Sequence, residues 1–261
     1  KDVRVRQHDS EGAARFTTRA AAINQPHTEV KSALFDGLPT NRLLARLPGA
    51  DFARLLAYMQ PVTLAAGNYL YGLDNKVDFI YFPETAVISH MHLLEDGNTT
   101  EVALIGREGM TGLSAIFDAQ PANYWSQVII GGSAVRMKVE VLQEDFSRAE
   151  VMQRLVLNYA SERIGQLSQR AACNGRHTLL ERLTTWLLML HDRAGEGQML
   201  LTHEEIARHL GARRATISVA ATLLKDRHII SYNRGHLTIL DRQGLLSFAC
   251  ECYETLARCH A

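Results

Sequence analysis

The chain has 261 residues, 46% of them hydrophobic, which is enough to bury one or two cores, and two domains is the expectation at this length. Its 28 basic and 28 acidic side chains balance to a formal net charge of zero, so no global charge points to a nucleic acid or a membrane surface. The densest apolar run, Trp186-Leu187-Leu188-Met189-Leu190, is five residues long, and the N-terminal stretch has no hydrophobic signal region. A cytoplasmic protein with no membrane partner is therefore expected. Its four cysteines, Cys173, Cys250, Cys252 and Cys259, are too few and too unevenly placed for a disulfide framework and read as reduced thiols.

Residues 1–31 mix charges with small side chains and carry little periodicity, as a flexible N-terminal tail would. Residues 32–146 read as a β-roll. Leu43, Leu44, Leu47, Phe52, Leu55 and Leu56 predict short helices, and strands begin after Pro61 to Gly67. Val77–Phe82, Ala86–Ser89, Thr100–Ile105, Trp125–Ile130 and Ala134–Met137 are strand-like, with Glu95-Asp96-Gly97-Asn98 a strong hairpin turn and Gly131-Gly132 a break. Many short antiparallel strands imply a roll or jelly roll.

After Val139 the period becomes helical. Met152, Val156, Ala160, Ile164, Leu167 and Ala171 draw an apolar stripe along a helix placed at 147–173, and that stripe is expected to pack on its copy in a second subunit. Residues 174–244 then read as a winged helix-turn-helix, with 245–261 a C-terminal helix. Thr202 and Glu205 form a capping box that starts the first helix near His203, and Gly211 supplies the turn. Arg213 and Arg214 open the second helix against the sign its macrodipole favours, which makes sense if their partner is DNA in the major groove. Strands His228–Ser231 and Leu237–Leu240 around Asn233-Arg234-Gly235 supply the wing. From Arg208 to His236 the basic residues Arg208, Arg213, Arg214, Lys225, Arg227 and Arg234 face the single acid Asp226, so the charge is local to this unit.

The order of roll, long helix and winged helix resembles the cyclic-AMP receptor protein and fumarate-nitrate-reduction regulator (CRP/FNR) family over roughly residues 32–243. The motifs that carry the likeness are Glu95-Asp96-Gly97, Gly106-Arg107-Glu108-Gly109, and Leu201-Thr202-His203-Glu204-Glu205-Ile206-Ala207 through Gly211 and Arg214. The resemblance implies an α+β chain with a cyclic-nucleotide-binding-like β-roll (jelly roll), a long dimerisation helix and a C-terminal winged helix-turn-helix. It implies a bacterial homodimer on an inverted-repeat DNA operator, an effector sensed in the roll, and RNA polymerase as a further partner if the protein activates. The DNA-binding residues it marks are Thr202, Arg213, Arg214, Ala215, Thr216, Ser218, Val219 and Arg234. The effector pocket falls to Arg107, Glu108, Tyr124, Trp125 and Ser126.

The chain departs from the family at telling places. Cyclic-nucleotide-binding members follow a Gly-Glu segment with an Arg-Ser or Arg-Thr pair; here Pro121-Ala122-Asn123-Tyr124-Trp125-Ser126 holds no arginine, so cyclic AMP is not expected as the cofactor. Iron–sulfur sensing members carry N-terminal cysteines, and none precedes Cys173, so a cluster is not expected either. Eleven histidines and seven methionines single out no haem ligand. In the reading helix Ala215 stands for an acid and Val219 for an arginine, so the operator must differ from the family's usual one. Cys250 and Cys252, with Cys259 and His260 nearby, read as free thiols and not as a metal site, because positions two apart on a helix diverge.

An enzyme is not expected. The alternative is a cupin-like metal-dependent β-barrel using His90, His92 and Glu95, since residues two apart on a strand share a face; the further histidine that motif needs is not found.

Overall fold

The computed structural model describes residues 40–258 apart from 74, 96, 118–121 and 123; the expected tail at 1–31, Cys259 and His260 lie outside the described residues. Two short helices, α1 (Arg42–Ala45) and α2 (Gly49–Leu56), lead into strands β1 (Gln60–Leu64), β2 (Tyr69–Tyr71), β3 (Phe79–Pro83), β4 (Val87–Leu93) and β5 (Thr99–Ile105). A short helix α3 (Leu113–Phe117), unforeseen in the sequence, precedes β6 (Trp125–Ile130) and β7 (Gly132–Lys138). The strands form two antiparallel sheets, ordered β1-β7-β3 and β2-β6-β4-β5, which face each other as a roll. Pro61 has no N–H to give, and it sits on the edge strand β1, where the ladder can spare one. Gly97, at φ +81°, turns β4 into β5.

Helix α4 (Val139–Arg148) ends at Ala149, whose extended backbone separates it from the long helix α5 (Glu150–Arg176). At 27 residues α5 runs about 40 Å. Its first three turns are anchored in the roll: Met152, Val156 and Tyr159 are buried in the cluster that holds Leu43, Ile80, Val135 and Leu142. Burial of side chains such as Met152 and Val156 is worth about 1.5–3 kcal/mol each. The Tyr159 hydroxyl donates to the Met110 carbonyl (2.9 Å) and accepts from the Met110 N–H (3.0 Å), which pins the loop after β5 to the helix. A Cβ on Gly109 would overlap that tyrosine ring, so only glycine permits this approach.

The C-terminal unit comprises α6 (Leu179–Ala194), β8 (Met199–Leu200), α7 (His203–Leu210), α8 (Arg214–Asp226), β9 (Ile230–Asn233), β10 (His236–Ile239), α9 (Arg242–Ser247) and α10 (Cys252–Arg258). Thr178 caps α6 with a full capping box to Glu181, and Asp241 caps α9 by accepting from the Gly244 N–H. The wing is a three-stranded sheet ordered β8-β10-β9, one strand more than the hairpin expected. Residues 245–261 do not form one helix: α9 starts at Arg242, and a break at Phe248 to Glu251 precedes α10. Val87, Leu104 and Ile129 of the roll share one apolar cluster with Trp186, Leu187, Leu210 and Ile217, so the two units pack as neighbours through a common core. No helix among the described residues is long and apolar enough to cross a membrane.

Candidate nucleic-acid interface

Helix α7 begins at the capping box read from the sequence. The Thr202 hydroxyl accepts from the Glu205 N–H at 3.1 Å, and Glu205 accepts from the Thr202 N–H at 2.7 Å. Gly211 closes the helix in the left-handed region at φ +58°, and Arg182 of α6 donates to the Leu210 carbonyl at 2.6 Å, which fixes the turn from behind. Helix α8 then starts with Arg213 as its N-cap, which makes no side-chain capping bond, and its first turn contains no acid. Ile217, Ala220, Ala221 and Leu224 bury one face of α8. Arg213, Arg214, Ala215, Thr216 and Val219 are exposed on the other, Val219 at 72%.

Ser218 sits differently from the other expected contacts. It is half-buried, its hydroxyl meets His203 Nδ1 at 2.9 Å and donates to the Arg214 carbonyl at 3.1 Å, so it ties the two helices together. His203 stacks on Tyr232 with centroids 4.3 Å apart, and the Tyr232 hydroxyl donates to the Leu201 carbonyl. Burial, and then the charge of Arg214, hold the His203 imidazole below its ordinary range. At the wing tip Arg234 (φ +48°) and Gly235 (φ +85°) make a two-residue turn between the paired Asn233 and His236, with Arg234 exposed.

The stripe expected at a dimer interface is corrected. Met152 and Val156 are buried in the protomer's own roll, whereas Leu157 (54% exposed), Ile164 (65%), Leu167 and Ala171 lie open and Ala160 is half-buried.

The five expected effector residues also divide. Tyr124 stacks on His90 at 4.3 Å, Trp125 meets Tyr69 edge-on at 6.3 Å, and the buried Ser126 pairs with His90 across β6 and β4. These side chains pack on one another inside the roll. Arg107 and Glu108 instead line a cavity of about 210 Å³ between the two units, with Arg42, Asp192, Arg193, Arg242 and Ala257. There Glu108 accepts from Arg193 Nε at 2.8 Å and Asp192 accepts from Arg242 at 2.8 Å. The metal-enzyme alternative is not assembled: His90 is buried against Tyr71 and Tyr124, whereas Glu95 is exposed in the hairpin turn.

Burial, the Arg163 charge and then His92 push the His90 imidazole well below its ordinary value of 6.5. Folded His90 therefore stays neutral where the unfolded chain takes up a proton. Its contribution to stability is complete above about pH 6.5 and is lost as pH falls below it, at up to about 1.4 kcal/mol per unit. Urea midpoints measured at pH 7.5 and 5.5 should show this slope reduced in His90→Gln; an unchanged slope would refute the assignment.

The group that joins the units has no signature in the local sequence. Glu101 of β5 is buried, and its carboxylate meets four partners: Ser89 of β4 (2.8 Å), Arg170 of α5 (3.1 Å), Trp186 Nε1 of α6 (3.0 Å) and His209 Nδ1 of α7 (3.0 Å). Burial alone would raise its pKa, but Arg170, His209 and Ser89 together outweigh it and hold the carboxyl below its ordinary range. The Trp186 ring stacks on His209 with centroids 5.5 Å apart. An acid on an alternating strand reads as solvent-facing, and three of its four partners lie 69, 85 and 108 residues away, beyond any local pattern.

Known proteins share this architecture. Residues 181–248 match the model of the Crp-like helix-turn-helix domain. The chain is 26% identical over 201 residues, 74% of its length and 89% of the relative's, to a CRP-like cAMP-activated global transcriptional regulator of Mycobacterium tuberculosis. The solved structure of FixK2 from Bradyrhizobium japonicum superposes with a TM-score of 0.62 at 21% identity, covering 74% of this chain and 98% of that one. A CRP/FNR-family transcriptional regulator of Thermus thermophilus gives 0.60 at 22%, covering 73% and 98%.

Proposed function

Because the chain belongs to the CRP/FNR family of transcription regulators and carries its helix-turn-helix DNA-binding unit, we propose that it acts as a homodimer that reads an inverted-repeat operator in the cytoplasm. The observation that carries this reading is α8, packed along its back by Ile217, Ala220 and Leu224 and open at Arg214, Ala215, Thr216 and Val219 on its front. In this reading Arg214 reads a base edge, Ala215 and Val219 offer apolar contact to thymine methyls, and Thr202, Arg213 and Arg234 stand at phosphates. Ser218 acts by holding α8 on α7.

The dimer seam is Leu157, Ala160, Ile164, Leu167 and Ala171. Their spacing of three and four residues keeps them on one face, as in a two-stranded coiled coil. Such a seam sets two copies of α8 about 34 Å apart, one turn of DNA.

Operators selected from a random DNA library test the class, since a dimer should return a palindrome. With that operator, Arg214→Ala should cost about 1–3 kcal/mol and relax preference at one position per half-site. Arg234→Ala should weaken all sequences alike and lower the salt slope by about one unit. Unchanged affinity in both would sink the proposal.

Effector control belongs to the joint between the units. The cavity there presents four guanidinium groups, those of Arg42, Arg107, Arg193 and Arg242, against the two carboxylates of Glu108 and Asp192, a balance suited to an anionic small molecule. A thermal-shift screen of anionic metabolites should find a ligand whose stabilisation is lost in Arg107→Ala; stabilisation that survives in Arg107→Ala counts against this cavity.

A further inference from the structure

Where α5 ends and the chain turns toward the DNA-binding unit, four side chains distant in sequence come together. Cys173 and His177 stand one helical turn apart at the end of α5, and Cys250 and Cys252 flank the start of α10. Their ligand atoms all lie within 4.8 Å of one another. Cys173 Sγ to Cys250 Sγ is 3.6 Å, and Cys252 Sγ to His177 Nδ1 is 3.6 Å. In a tetrahedral zinc site with bonds of about 2.3 Å to sulfur and about 2.0–2.1 Å to nitrogen, two sulfurs stand about 3.8 Å apart, and a sulfur and a nitrogen about 3.6 Å apart. The two separations match edges of that tetrahedron, and the other four lie within 4.8 Å.

We propose that Cys173, His177, Cys250 and Cys252 form a closed tetrahedral site for a single divalent zinc-like cation.

The surroundings are those a metal-bound set needs. His177 turns Nδ1 toward Cys252, and its Nε2 faces the Glu251 carboxylate at 3.2 Å, the outer partner that fixes which imidazole nitrogen binds a metal. Gln169 Nε2 donates to Cys252 Sγ at 3.0 Å. The Thr185 hydroxyl oxygen accepts from the Cys250 N–H, which leaves its proton free for Cys250 Sγ at 3.3 Å. All three cysteines are buried.

Two other readings account for less. A disulfide between Cys173 and Cys250 would leave the convergence of Cys252 and His177 unexplained, and a multi-iron cluster needs its ligands spread around several metal atoms. Four protein ligands leave no open position, so the ion is structural and not catalytic. It ties the end of α5 to the strap that follows the wing, and so sets how the DNA-binding unit leaves the long helix. The sequence reading of free thiols rested on positions two apart on a helix diverging; Cys250 precedes α10 while Cys252 lies in it, so the two need not diverge as they would on one helix.

The test uses the full chain, purified under reducing conditions without chelator. Elemental analysis should find about one zinc per chain, and the metal-free protein titrated with Co²⁺ should show thiolate-to-cobalt charge transfer and tetrahedral d–d bands saturating at one equivalent. Cys252→Ser and His177→Ala should weaken cobalt binding by at least about tenfold, with Glu251→Ala near the lower end of that range and Cys259→Ser without effect. The wild-type titration decides the matter even where a variant misfolds. Absence of both stoichiometric metal and the charge-transfer bands would overturn the proposal. So would a Cys173–Cys250 disulfide found by mass spectrometry in metal-free protein that regains no cobalt binding after reduction.

Discussion

Glu101→Ala is expected to destabilise the protein by about 3–5 kcal/mol, measured as the shift in urea midpoint. It removes one member of a buried ion pair and leaves Arg170, Trp186 Nε1 and His209 facing the vacated position. The side chain is fully buried and that of Arg170 is 13% exposed, so solvent screening does little to soften the loss. Glu101→Gln keeps the shape and an acceptor for Trp186 but not the charge for Arg170, and should fall between wild type and alanine. The carboxyl's depressed pKa gives the pH dependence its sign: this stability is complete above about pH 4.5 and is lost as acid protonates the folded protein. Because Glu101 holds α5, α6 and α7 to β5, the alanine variant should also alter operator affinity although it lies away from the exposed face of α8. A loss under about 1 kcal/mol would show that the cluster is dispensable.

In the proposed dimer, Ile164→Glu is expected to give a monomer in sedimentation equilibrium and to weaken operator binding by at least about a hundredfold. A lone half-site contact lacks the effective concentration supplied by its twin. Ile164 is exposed, so the fold should melt as wild type does. Met152→Ala supplies the opposite result: it should cost about 2–5 kcal/mol of stability and leave the association state unchanged, because Met152 fills the roll. If Met152→Ala dissociated the dimer, the seam would extend to the start of the stripe first drawn from the sequence; if Ile164→Glu left it intact, both seams would be wrong.

The error in that first stripe has a geometric cause. Each step of four residues advances about 40° around a helix of 3.6 residues per turn, so Met152, Val156, Ala160 and Ile164 drift by about 120° between first and last. One line of apolar side chains thus faces the roll at its start and solvent at its end. Elements set by local chemistry were legible: the Thr202–Glu205 capping box, the Gly211 turn, the Gly97 hairpin and the wing's turn at Arg234-Gly235. The exposed front of α8 followed from the same periodicity that buries its back. What could not be read is what forms only after folding. The Glu101 cluster, the interdomain cavity and the meeting of Cys173 with Cys250 each join residues far apart in the chain.

Gly211 bears on how the two ends of the molecule communicate. Its Cα faces Thr100 so closely that a Cβ there would lie 3.0 Å from the threonine Oγ1, one residue from Glu101. The bend of the helix-turn-helix therefore rests directly on β5, so a ligand that moved this strand would bear on the reading helix as well. By reciprocity, whatever shifts that strand to favour operator binding must itself be bound more tightly, and by the same factor, once the operator is in place. Were such a ligand to exist, DNA would be its effector as much as it would be an effector of DNA binding.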